Sequence, residues 1–474
     1  MIPLSPEVLA AAVDGRLVTS DGSSVGRGGG ALVGAVMTDS RVPAGAPAVF
    51  VALRTDGADG HDHAPAAAAA GAVLALVERP VADGPTLQVV VDDTWGALRA
   101  LARHVVDEVG CRVVAVTGSY GKTTVKDLTA AALAGSRRVV ASRASFNNEL
   151  GVPLTMLAVD AATQVLVAEA GARLAGDIAL LGALLAPDVS VVTAVGPVHL
   201  ETFGDESGVA AEKSRLVTSL GPGGTAVLNA DDVRVAAMAS LAPSVLTVSV
   251  QAQGADLVAE DVVTDDEGRV HATLRTPFGS AGLVLPMPGR HHLTNALLAV
   301  AVAGLEGVPA DVAAHGIATA ALSPSRSHVV RAGGVTVLDD AYNASPPTML
   351  GALTTLEGLP CSGRRWAVLG VMAELGPDGP AQHVAVGRAA GAVVDELVVV
   401  GALASGIAAG ALEVGGSCRV RTVDDREAAA ELLIDELQPG DAVLLKASRV
   451  AALDQVAARV VEALGEEPDG GAVA

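Results

Sequence analysis

A glycine loop between an apolar strand and a helix constrains this sequence more than any other feature. The apolar run 112–117 is typical of a buried strand, the loop Gly118-Ser119-Tyr120-Gly121 follows it, and a helical pattern starts near Thr123. Backbone N–H groups of such a loop, together with the helix N-terminus, point at a bound phosphate. Lys122 is then placed to reach the β- and γ-phosphates of a nucleotide, and the Thr123 hydroxyl to coordinate Mg²⁺.

The loop is a shortened form of the usual phosphate motif. The pattern G-x-x-x-x-G-K-[ST] fails because its first glycine falls on Val116, and what remains is T-G-x-x-G-K-T-T, ending at Thr124. We expect Gly118–Thr124 to bind the phosphates of ATP. Read alone, this loop could equally serve a kinase or an ATPase.

The acidic composition argues against nucleic acid as a partner. The chain has 474 residues and a formal net charge of −22, whereas binding to a phosphate backbone needs clustered Lys and Arg. At roughly 100–200 residues per domain, this length predicts three domains.

No sequence feature indicates secretion or a membrane. The three cysteines are too few and too widely spaced for a disulfide framework or a metal knuckle. The amino terminus lacks a basic segment before an apolar one, and no apolar run reaches the ~18 residues of a spanning helix. We expect a cytoplasmic enzyme that does not insert into a membrane.

Alternating strand and helix patterns predict an α/β protein whose central sheet is mostly parallel. Short alternating strands around Asp265-Asp266-Glu267-Gly268 predict a hairpin, Ser323-Pro324-Ser325 resembles a linker, and a second doubly wound unit follows it. The tail from Gly465 is expected to fray. The predicted domains are a small α/β domain, a central nucleotide-binding domain and a Rossmann-like domain, at residues 1–108, 109–322 and 323–474.

Two further candidates follow the strands after the loop. Glu169 ends a predicted strand, and His199 comes shortly after the next one. Ligands of doubly wound sheets gather beyond the carboxyl ends of the strands, so both side chains are predicted metal ligands. Because Mg²⁺ prefers oxygen, a histidine here indicates that Mn²⁺ could also be tolerated.

Several motifs, in order along the chain, resemble the Mur ligases, the ATP-dependent amide ligases of peptidoglycan precursor synthesis, and within that family the MurF branch. The resemblance covers nearly the whole chain. The motifs are TDSR (38–41), DGHD (59–62), TGSYGKTT (117–124), SFNNELGVPLT (145–155), EAGA (169–172), GPVHLETFG (196–204), EKS (212–214), PGRHH (288–292) with Asn295-Ala296, LDDAYNASP (338–346), MAELG (372–376) and LKASR (445–449).

The resemblance implies a ligase that joins D-alanyl-D-alanine to UDP-MurNAc-tripeptide through an acyl phosphate. It also implies that Lys213 is carbamylated and binds the second of two Mg²⁺ ions, with Lys122, Glu169, His199, Lys213 and Arg326 as the catalytic set and Thr123 as a further metal ligand.

The same resemblance implies the binding roles of other residues. His291 and Asn295 would contact adenine, Asp340 the ribose and Arg326 the nucleotide phosphates. The dipeptide would be bound by Asn343, Lys446, Ser448 and Arg449, and the uridine-nucleotide substrate by Ser40, Arg41, Asn147 and Asn148. Local alternatives exist for the first domain, where Asp39 could cap a turn and Arg41 could be solvated. We expect a monomer.

Two departures from the family pattern adjoin the site. Tyr120 stands where many MurF proteins have Asn or Ser, and Ala170 replaces the Met usual after the metal-binding Glu. They keep open a related ligase recruited to another carboxylate and amine, for example in secondary metabolism. A non-catalytic nucleotide-binding module is the third alternative, but it would need a lost metal ligand, and all the candidates are present.

Overall fold

The computed structural model describes residues 1–25, 30–251 and 254–466. The chain forms two compact units: the first unit is Met1–Ala115, Arg137–Ala170 and Leu180–Asp188, and the second unit is Val116–Ser136, Gly171–Ala179 and Val189–Ala474. Within the described residues, no helix has the length and apolar character needed to cross a membrane.

The helices and strands up to Glu169 are, in chain order, α1 Pro6–Ala12, β1 Arg16–Thr19, β2 Ala35–Met37, β3 Ala48–Val51, β4 Arg54–Thr55, β5 Ala58–Asp59, α2 Ala64–Ala69, β6 Ala72–Val77, β7 Leu87–Val90, α3 Thr94–Val109, β8 Arg112–Thr117, α4 Lys122–Ala134, β9 Val139–Ala141, α5 Gly151–Met156 and β10 Val165–Glu169.

The following elements are α6 Asp177–Leu185, β11 Val189–Val192, α7 Leu200–Phe203, α8 Glu206–Thr218, β12 Thr225–Asn229, α9 Val233–Ala236, β13 Ser244–Ser249, β14 Leu257–Thr264, β15 Val270–Thr276, β16 Gly279–Val284, α10 His292–Leu305 and α11 Ala310–Ala318.

The last elements are β17 His328–Ala332, β18 Val335–Asp339, α12 Pro346–Gly358, β19 Arg365–Leu369, α13 Gly379–Val393, β20 Glu396–Val400, α14 Ser405–Glu413, β21 Arg419–Val423, α15 Arg426–Glu436, β22 Ala442–Lys446 and α16 Leu453–Leu464. Short 3₁₀ helices span Gly60–His63, Ala237–Leu241, Gly376–Asp378, Ala402–Ala404 and Arg449–Ala451.

The first unit contains a five-stranded sheet in the order β1-β7-β6-β3-β2, in which β1 is antiparallel and the other pairs are parallel. Helix α3 begins where the Asp93 carboxylate accepts the N–H groups of Trp95 and Gly96, and it ends at the left-handed Gly110, so both ends carry standard caps. The start of β8 lies in this unit beside β10, which pairs in parallel with β9.

In the second unit, β11, β12, β13 and β14 pair in parallel, and β14, β15 and β16 form an antiparallel extension. The predicted hairpin turn is confirmed. The Asp265 carboxylate accepts the N–H groups of Glu267 and Arg269, and Gly268 has φ of +83°. The sequence predicted this turn because aspartate commonly accepts hydrogen bonds from the backbone N–H groups of its turn, and glycine readily adopts a positive φ.

The carboxyl-terminal sheet has the order β17-β18-β22-β19-β20-β21 and is parallel except for β17. On one face Met349 of α12, Val386 of α13 and Ile407 of α14 are buried, and on the other face Leu433 of α15 and Val456 of α16 are buried. Helices therefore cover both faces, which confirms the predicted doubly wound α/β architecture.

The structure also differs from the sequence prediction at several places. The sequence pattern did not indicate helix α1 or strands β1, β13 and β17, and Val33, before β2, forms an isolated bridge with Leu4. The prediction of fraying is wrong at the start of the tail: Gly465 accepts the N–H of Gly333, and Glu466 bridges Ala332. Residues 467–474 lie outside the described residues.

Candidate active site

The phosphate loop requires glycine at two positions. Gly118 has φ of +148°, and a Cβ there would lie 2.0 Å from the Thr193 Oγ1; Gly121 has φ of +81°, and its Cβ would lie 2.7 Å from the Asn295 Oδ1. Residues with a side chain are strained at such φ and would also collide with these neighbours. The two glycines therefore let the loop lie against the segment after β11 and against helix α10.

Hydrogen bonds hold the loop to the segment that follows β11. The Ser119 N–H donates to the Ala194 carbonyl at 2.8 Å, and the Ser119 Oγ accepts the N–H of Gly196 at 2.9 Å. The Thr193 hydroxyl donates to the Tyr120 carbonyl. The loop thus leads into the N-terminus of the 13-residue helix α4, whose first N–H groups have no acceptor within the helix.

Tyr120, the unusual residue of the loop, packs against Gly196. A Cβ on Gly196 would lie 2.8 Å from the Tyr120 Cε1. Burial raises the pKa of the Tyr120 phenol above its usual range, and the carboxylates of Asp232 and Glu206 act in the same direction. The phenol is therefore neutral.

Helix α4 begins with the residues that the motif singles out. The Lys122 ammonium lies over the loop and donates to the carbonyls of Gly118, at 2.9 Å, and Ser119, at 3.3 Å. The side chains of Thr123 and Thr124 are buried. The predicted loop residues are thus together, at the end of a strand and the start of a helix.

His199 and Lys213 share the neighbourhood of Lys122. Burial lowers the pKa of the His199 imidazole; the nearby Glu374 carboxylate opposes this shift, and the positive charges of Lys122 and Lys213 reinforce it. The Nδ1 of His199 forms an ion-pair contact with the Glu374 carboxylate. Lys213, on helix α8, is only 1% exposed. Three predicted site residues are thus close to one another, and Glu374 joins them.

Glu212 ties the α6 loop to the helix that carries Lys213. Its buried carboxylate accepts the N–H of Gly176 at 3.0 Å and that of Ile178 at 2.8 Å, and it pairs with Arg215 at 3.2 Å. These partners occupy both carboxylate oxygens, so Glu212 holds the segment before α6 against α8. We call this set of contacts the Glu212 clamp.

Glu169 lies in the first unit, where it is 1% exposed. Its Oε1 accepts the Asn147 amide at 2.7 Å, and its backbone N–H donates to the Ser142 hydroxyl at 3.1 Å. The Asn148 Oδ1 accepts the N–H of Gly151, the first residue of α5. The two asparagines predicted to bind the uridine-nucleotide substrate therefore hold Glu169 and a helix start in this structure.

A buried hydrogen-bond chain crosses from helix α10 to the carboxyl-terminal sheet. The Asn295 amide lies 3.1 Å from the His292 Nδ1, and the His292 Nε2 lies 3.0 Å from the Ser327 hydroxyl. The Ser327 N–H donates to Asp340 at 3.0 Å, and Lys446 donates to the other Asp340 oxygen at 2.6 Å.

Of the two adjacent histidines, the structure selects His292 as the partner of Asn295. His291 is the more exposed residue of the two, and its ring packs on that of His292, with 4.0 Å between the ring centroids. Burial holds the pKa of His292 well below its usual range, so its ring is neutral. The sequence prediction named Asn295 and His291 as adenine contacts and did not single out His292, because two adjacent histidines at a helix start do not indicate which one is buried.

The residues predicted to bind the dipeptide lie around the end of β22. Lys446 is 3% exposed and also donates to the Asn343 carbonyl at 3.0 Å, so Asp340 neutralises its charge in this arrangement. The Ser448 hydroxyl accepts the Ala373 N–H at 2.9 Å. Arg449 is the exposed cation of this group and pairs with Asp454 at 2.7 Å.

Arg326 lies close to Arg449 through a shared ring. The Arg326 guanidinium lies 4.0 Å from the centroid of the Tyr342 ring, and that of Arg449 lies 5.8 Å from it. Arg326 follows the left-handed Ser325, whose hydroxyl donates to Asp339 at 2.8 Å. The predicted linker is therefore held against the carboxyl-terminal sheet and presents Arg326 beside the predicted dipeptide residues.

The predicted uridine-nucleotide residues Ser40 and Arg41 lie on the surface of the first unit. Asp39 accepts the Arg41 backbone N–H at 3.0 Å and pairs with its guanidinium at 2.7 Å. The Arg41 hydrogen bonds hold the pKa of Asp39 at about 2. The local alternative, a turn capped by Asp39 with a solvated Arg41, is therefore the geometry seen here, and the exposed guanidinium remains accessible.

A strand that leads through a glycine loop into a helix, within a mostly parallel sheet, is the arrangement typical of phosphate-binding α/β proteins. Residues 116–303 match the Mur ligase middle domain, and residues 325–449 match the Mur ligase glutamate ligase domain. The chain belongs to the Mur ligase family.

Individual relatives extend this likeness over nearly the whole chain. The UDP-N-acetylmuramoyl-tripeptide–D-alanyl-D-alanine ligase of Mycobacterium tuberculosis is 41% identical over 473 residues, which cover 91% of this chain and 92% of the relative. The crystal structure of MurF from Acinetobacter baumannii is 28% identical, with a TM-score of 0.85 over 97% of this chain and 99% of that one. MurF from Thermotoga maritima in complex with ADP is 28% identical, with a TM-score of 0.79 over 90% and 97%. The three-domain α/β fold expected from the resemblance is thus confirmed.

Proposed function

We propose that this protein is an ATP-dependent amide ligase that joins D-alanyl-D-alanine to UDP-MurNAc-tripeptide in peptidoglycan precursor synthesis. The observation that carries the proposal is likeness over nearly the whole length to a ligase of that name, at 41% identity and with 91% and 92% of the two chains covered. The phosphate loop and the buried Lys213 support it. A related ligase with another substrate pair has no observation in its favour.

In the proposed reaction the tripeptide carboxylate attacks the γ-phosphorus of ATP, ADP leaves, and the dipeptide amine then displaces phosphate from the acyl phosphate. The work of the protein is to stabilise charge on the transferring phosphoryl group and on the tetrahedral intermediate. Lys122 and the N-terminus of α4 supply positive potential at the phosphates. We propose that Arg326 adds a further positive charge there.

An unmodified Lys213 cation would repel a divalent metal beside His199. Among the described residues no group of three or more His, Cys, Asp and Glu side chains could hold a metal ion, and Mg²⁺ needs oxygen ligands. Lys213 is buried, and the positive charges of Lys122 and Lys213 both act on His199. A carbamate would convert the Lys213 cation into an oxygen-bearing anion at this crowded position.

We therefore propose Thr123, His199 and carbamylated Lys213 as metal ligands, and Glu169 as another on the basis of its motif. Mg²⁺, as two ions, or Mn²⁺ would neutralise charge on the phosphates when bound. This chain's own contribution is to fix the ligand side chains: α4 positions Thr123, α8 positions Lys213, and Asn147 holds the Glu169 carboxylate.

The substrate contacts of the remaining residues complete the proposal. Asn295 and His291 contact adenine and Asp340 the ribose, while the exposed Arg449 offers its charge to the dipeptide carboxylate. Lys446, buried against Asp340, orders Asn343 and the Ser448 loop around the dipeptide. Ser40, Arg41, Asn147 and Asn148 bind the uridine-nucleotide substrate.

We further propose domain boundaries at residues 1–108, 109–322 and 323–474, and a monomer that works in the cytoplasm. Nucleic acid is no partner in this proposal, because the acidic surface would repel it.

The deciding experiment measures phosphate release from ATP and the mass of the product. With UDP-MurNAc-tripeptide, D-alanyl-D-alanine and Mg²⁺ together, we expect phosphate and a product heavier than the tripeptide substrate by the dipeptide less one water. Release that does not depend on the dipeptide, or an unchanged substrate mass, would refute the proposal. Tripeptides ending in meso-diaminopimelate and in lysine are tested side by side.

The carbamate is tested separately. We expect Lys213→Ala to lose activity and short carboxylic acids to restore part of it, and the protein incubated with ¹³C-bicarbonate to show a carbamate ¹³C signal that Lys213→Ala lacks. Absence of both rescue and signal would refute the modification while leaving the ligase activity to be judged from the product.

A further inference from the structure

Glu374 connects the carboxyl-terminal sheet to the His199 loop. It follows β19 and precedes the 3₁₀ helix Gly376–Asp378. Its carboxylate contacts the His199 Nδ1 and lies 3.6 Å from the Arg173 guanidinium. Its backbone carbonyl accepts the Leu200 N–H at 3.1 Å. One residue of the 325–449 segment thus contacts the 116–303 segment through both its side chain and its backbone.

Both partners have backbones in the left-handed region. Glu374 has φ of +61° and His199 has φ of +52°. For residues other than glycine this conformation costs about 1–2 kcal/mol each, and it persists where the surroundings determine it. Neither residue is a glycine or an asparagine, so the surrounding structure holds both backbones in this conformation at the contact.

The Glu374 carboxylate at Nδ1 favours one of the two tautomers of the neutral His199 ring. A neutral imidazole has one N–H, and a carboxylate at Nδ1 stabilises the tautomer in which Nδ1 is protonated and Nε2 keeps its lone pair. In metal sites, the histidine ligand generally donates its other N–H to such a partner, and removing this partner costs 10–100-fold in affinity or activity.

We propose that Glu374 is a positioning residue for His199: through Nδ1 it fixes the tautomer and the ring orientation that present Nε2 to the divalent metal. This inference rests on the proposed role of His199 as a metal ligand.

The proposal makes the metal end of the site depend on the carboxyl-terminal segment. His199 and Lys213 belong to the 116–303 segment, whereas Glu374 belongs to the 325–449 segment. Because Glu374 reaches His199 only when the two segments are docked, docking and metal affinity are coupled, and each favours the other to the same extent.

The first test reads the tautomer directly, without metal or activity. Full-length protein with ¹⁵N-labelled histidine is examined by long-range ¹H–¹⁵N NMR, and the His199 signals are assigned by their loss in His199→Gln. We expect a protonated Nδ1 in the wild type, and a shift towards protonated Nε2 in Glu374→Ala. Glu374→Gln should retain the wild-type tautomer, because its amide oxygen still accepts the Nδ1–H.

The matched control is Asp378→Asn, in the same loop. The Asp378 side chain is exposed and makes no cap hydrogen bond, so its loss should leave the His199 signals unchanged. An unchanged tautomer in Glu374→Ala would overturn the proposal. Alanine at this left-handed position carries the same backbone cost as glutamate, so the variant introduces no new strain.

The second test measures binding of Mn²⁺ alone by electron paramagnetic resonance. We expect Glu374→Ala to weaken binding about 10–100-fold, Asp378→Asn to leave it unchanged, and Glu374→Ala to add nothing when His199 is already alanine. If His199→Ala itself leaves Mn²⁺ binding intact, the metal role under the proposed function fails. If His199→Ala weakens binding and Glu374→Ala does not, the positioning role fails and the metal role stands.

Discussion

Asp340 and Lys446 form a buried ion pair, with 2.6 Å between the Asp340 Oδ2 and the Lys446 Nζ, and Lys446 is 3% exposed. Removing one member of such a pair leaves an uncompensated buried charge, which typically costs about 3–5 kcal/mol. We predict that Asp340→Asn lowers the free energy of unfolding of the segment around β18 and β22 by about 3 kcal/mol, measured by urea denaturation followed by tryptophan fluorescence of the nearby Trp366.

An exposed ion pair of the same region is the control for this prediction. Arg388 and Glu413 lie 2.7 Å apart with both side chains about half exposed, and solvent-exposed pairs contribute about 0–1 kcal/mol. Glu413→Gln should therefore change stability by less than about 1 kcal/mol. Equal losses in the two variants would show that burial of Lys446 carries no special cost.

Gly121→Ala should weaken nucleotide binding at least 10-fold without unfolding the protein. The new Cβ would sit at φ of +81° and 2.7 Å from the Asn295 Oδ1, so the loop must move away from α10. Gly135→Ala, at the other end of α4, is the matched control, because Gly135 has φ of −70° and its nearest neighbour lies 3.8 Å from the added Cβ. Binding of ADP by calorimetry should separate the two variants, and equal affinities would contradict the prediction.

His292 should make the protein less stable as the pH falls below about 6.5. Burial, with the charges of His291 and Lys446 in support, holds the folded-state pKa of His292 well below 6.5. Below pH ~6.5 the unfolded chain therefore binds a proton that the folded chain does not, so stability is lost at up to about 1.4 kcal/mol per pH unit.

Removing the His292 imidazole should remove this pH-dependent loss of stability. Between pH 7.5 and 5.5 we expect wild type to lose more unfolding free energy than His292→Gln, whereas the exposed His315→Gln should follow wild type. Chemical denaturation at the two pH values measures the difference, and parallel losses in wild type and His292→Gln would refute the prediction.

The phosphate loop could be predicted from the sequence because its information is contiguous. A strand, two glycines, Lys122 and Thr123 stand in a fixed spacing, and the backbone geometry of Gly118 and Gly121 follows from that spacing. The doubly wound carboxyl-terminal sheet could also be predicted, since its buried parallel strands are continuous apolar runs. Strand β17 could not be predicted, because its partly exposed residues do not form such a run.

Glu374 and His292 could not be singled out in the same way. Glu374 meets His199 across a long stretch of sequence, and both residues have left-handed backbones at the contact. Glu374 lies in the MAELG motif and His292 in the PGRHH motif, but neither motif indicates which residue its side chain contacts. Lys446 shows the opposite case: the motif indicated a charge for the substrate, and the fold buries that charge against Asp340.

Glu212 provides a prediction about the helix that carries Lys213. Its carboxylate accepts the N–H groups of Gly176 and Ile178, and hydrogen bonds to a charged group contribute about 1.5–3 kcal/mol each. In Glu212→Ala both N–H groups lose their acceptor, so segment 171–179 should exchange its amide hydrogens faster, by at least 10-fold at Gly176 and Ile178. Hydrogen exchange with mass spectrometry measures this, with Glu201→Ala, an exposed glutamate, as the control.

Because Glu212 and Lys213 are adjacent on α8, the Glu212→Ala variant should also lower ligase activity. Fast exchange together with full activity would show that the Glu212 contacts serve the fold alone.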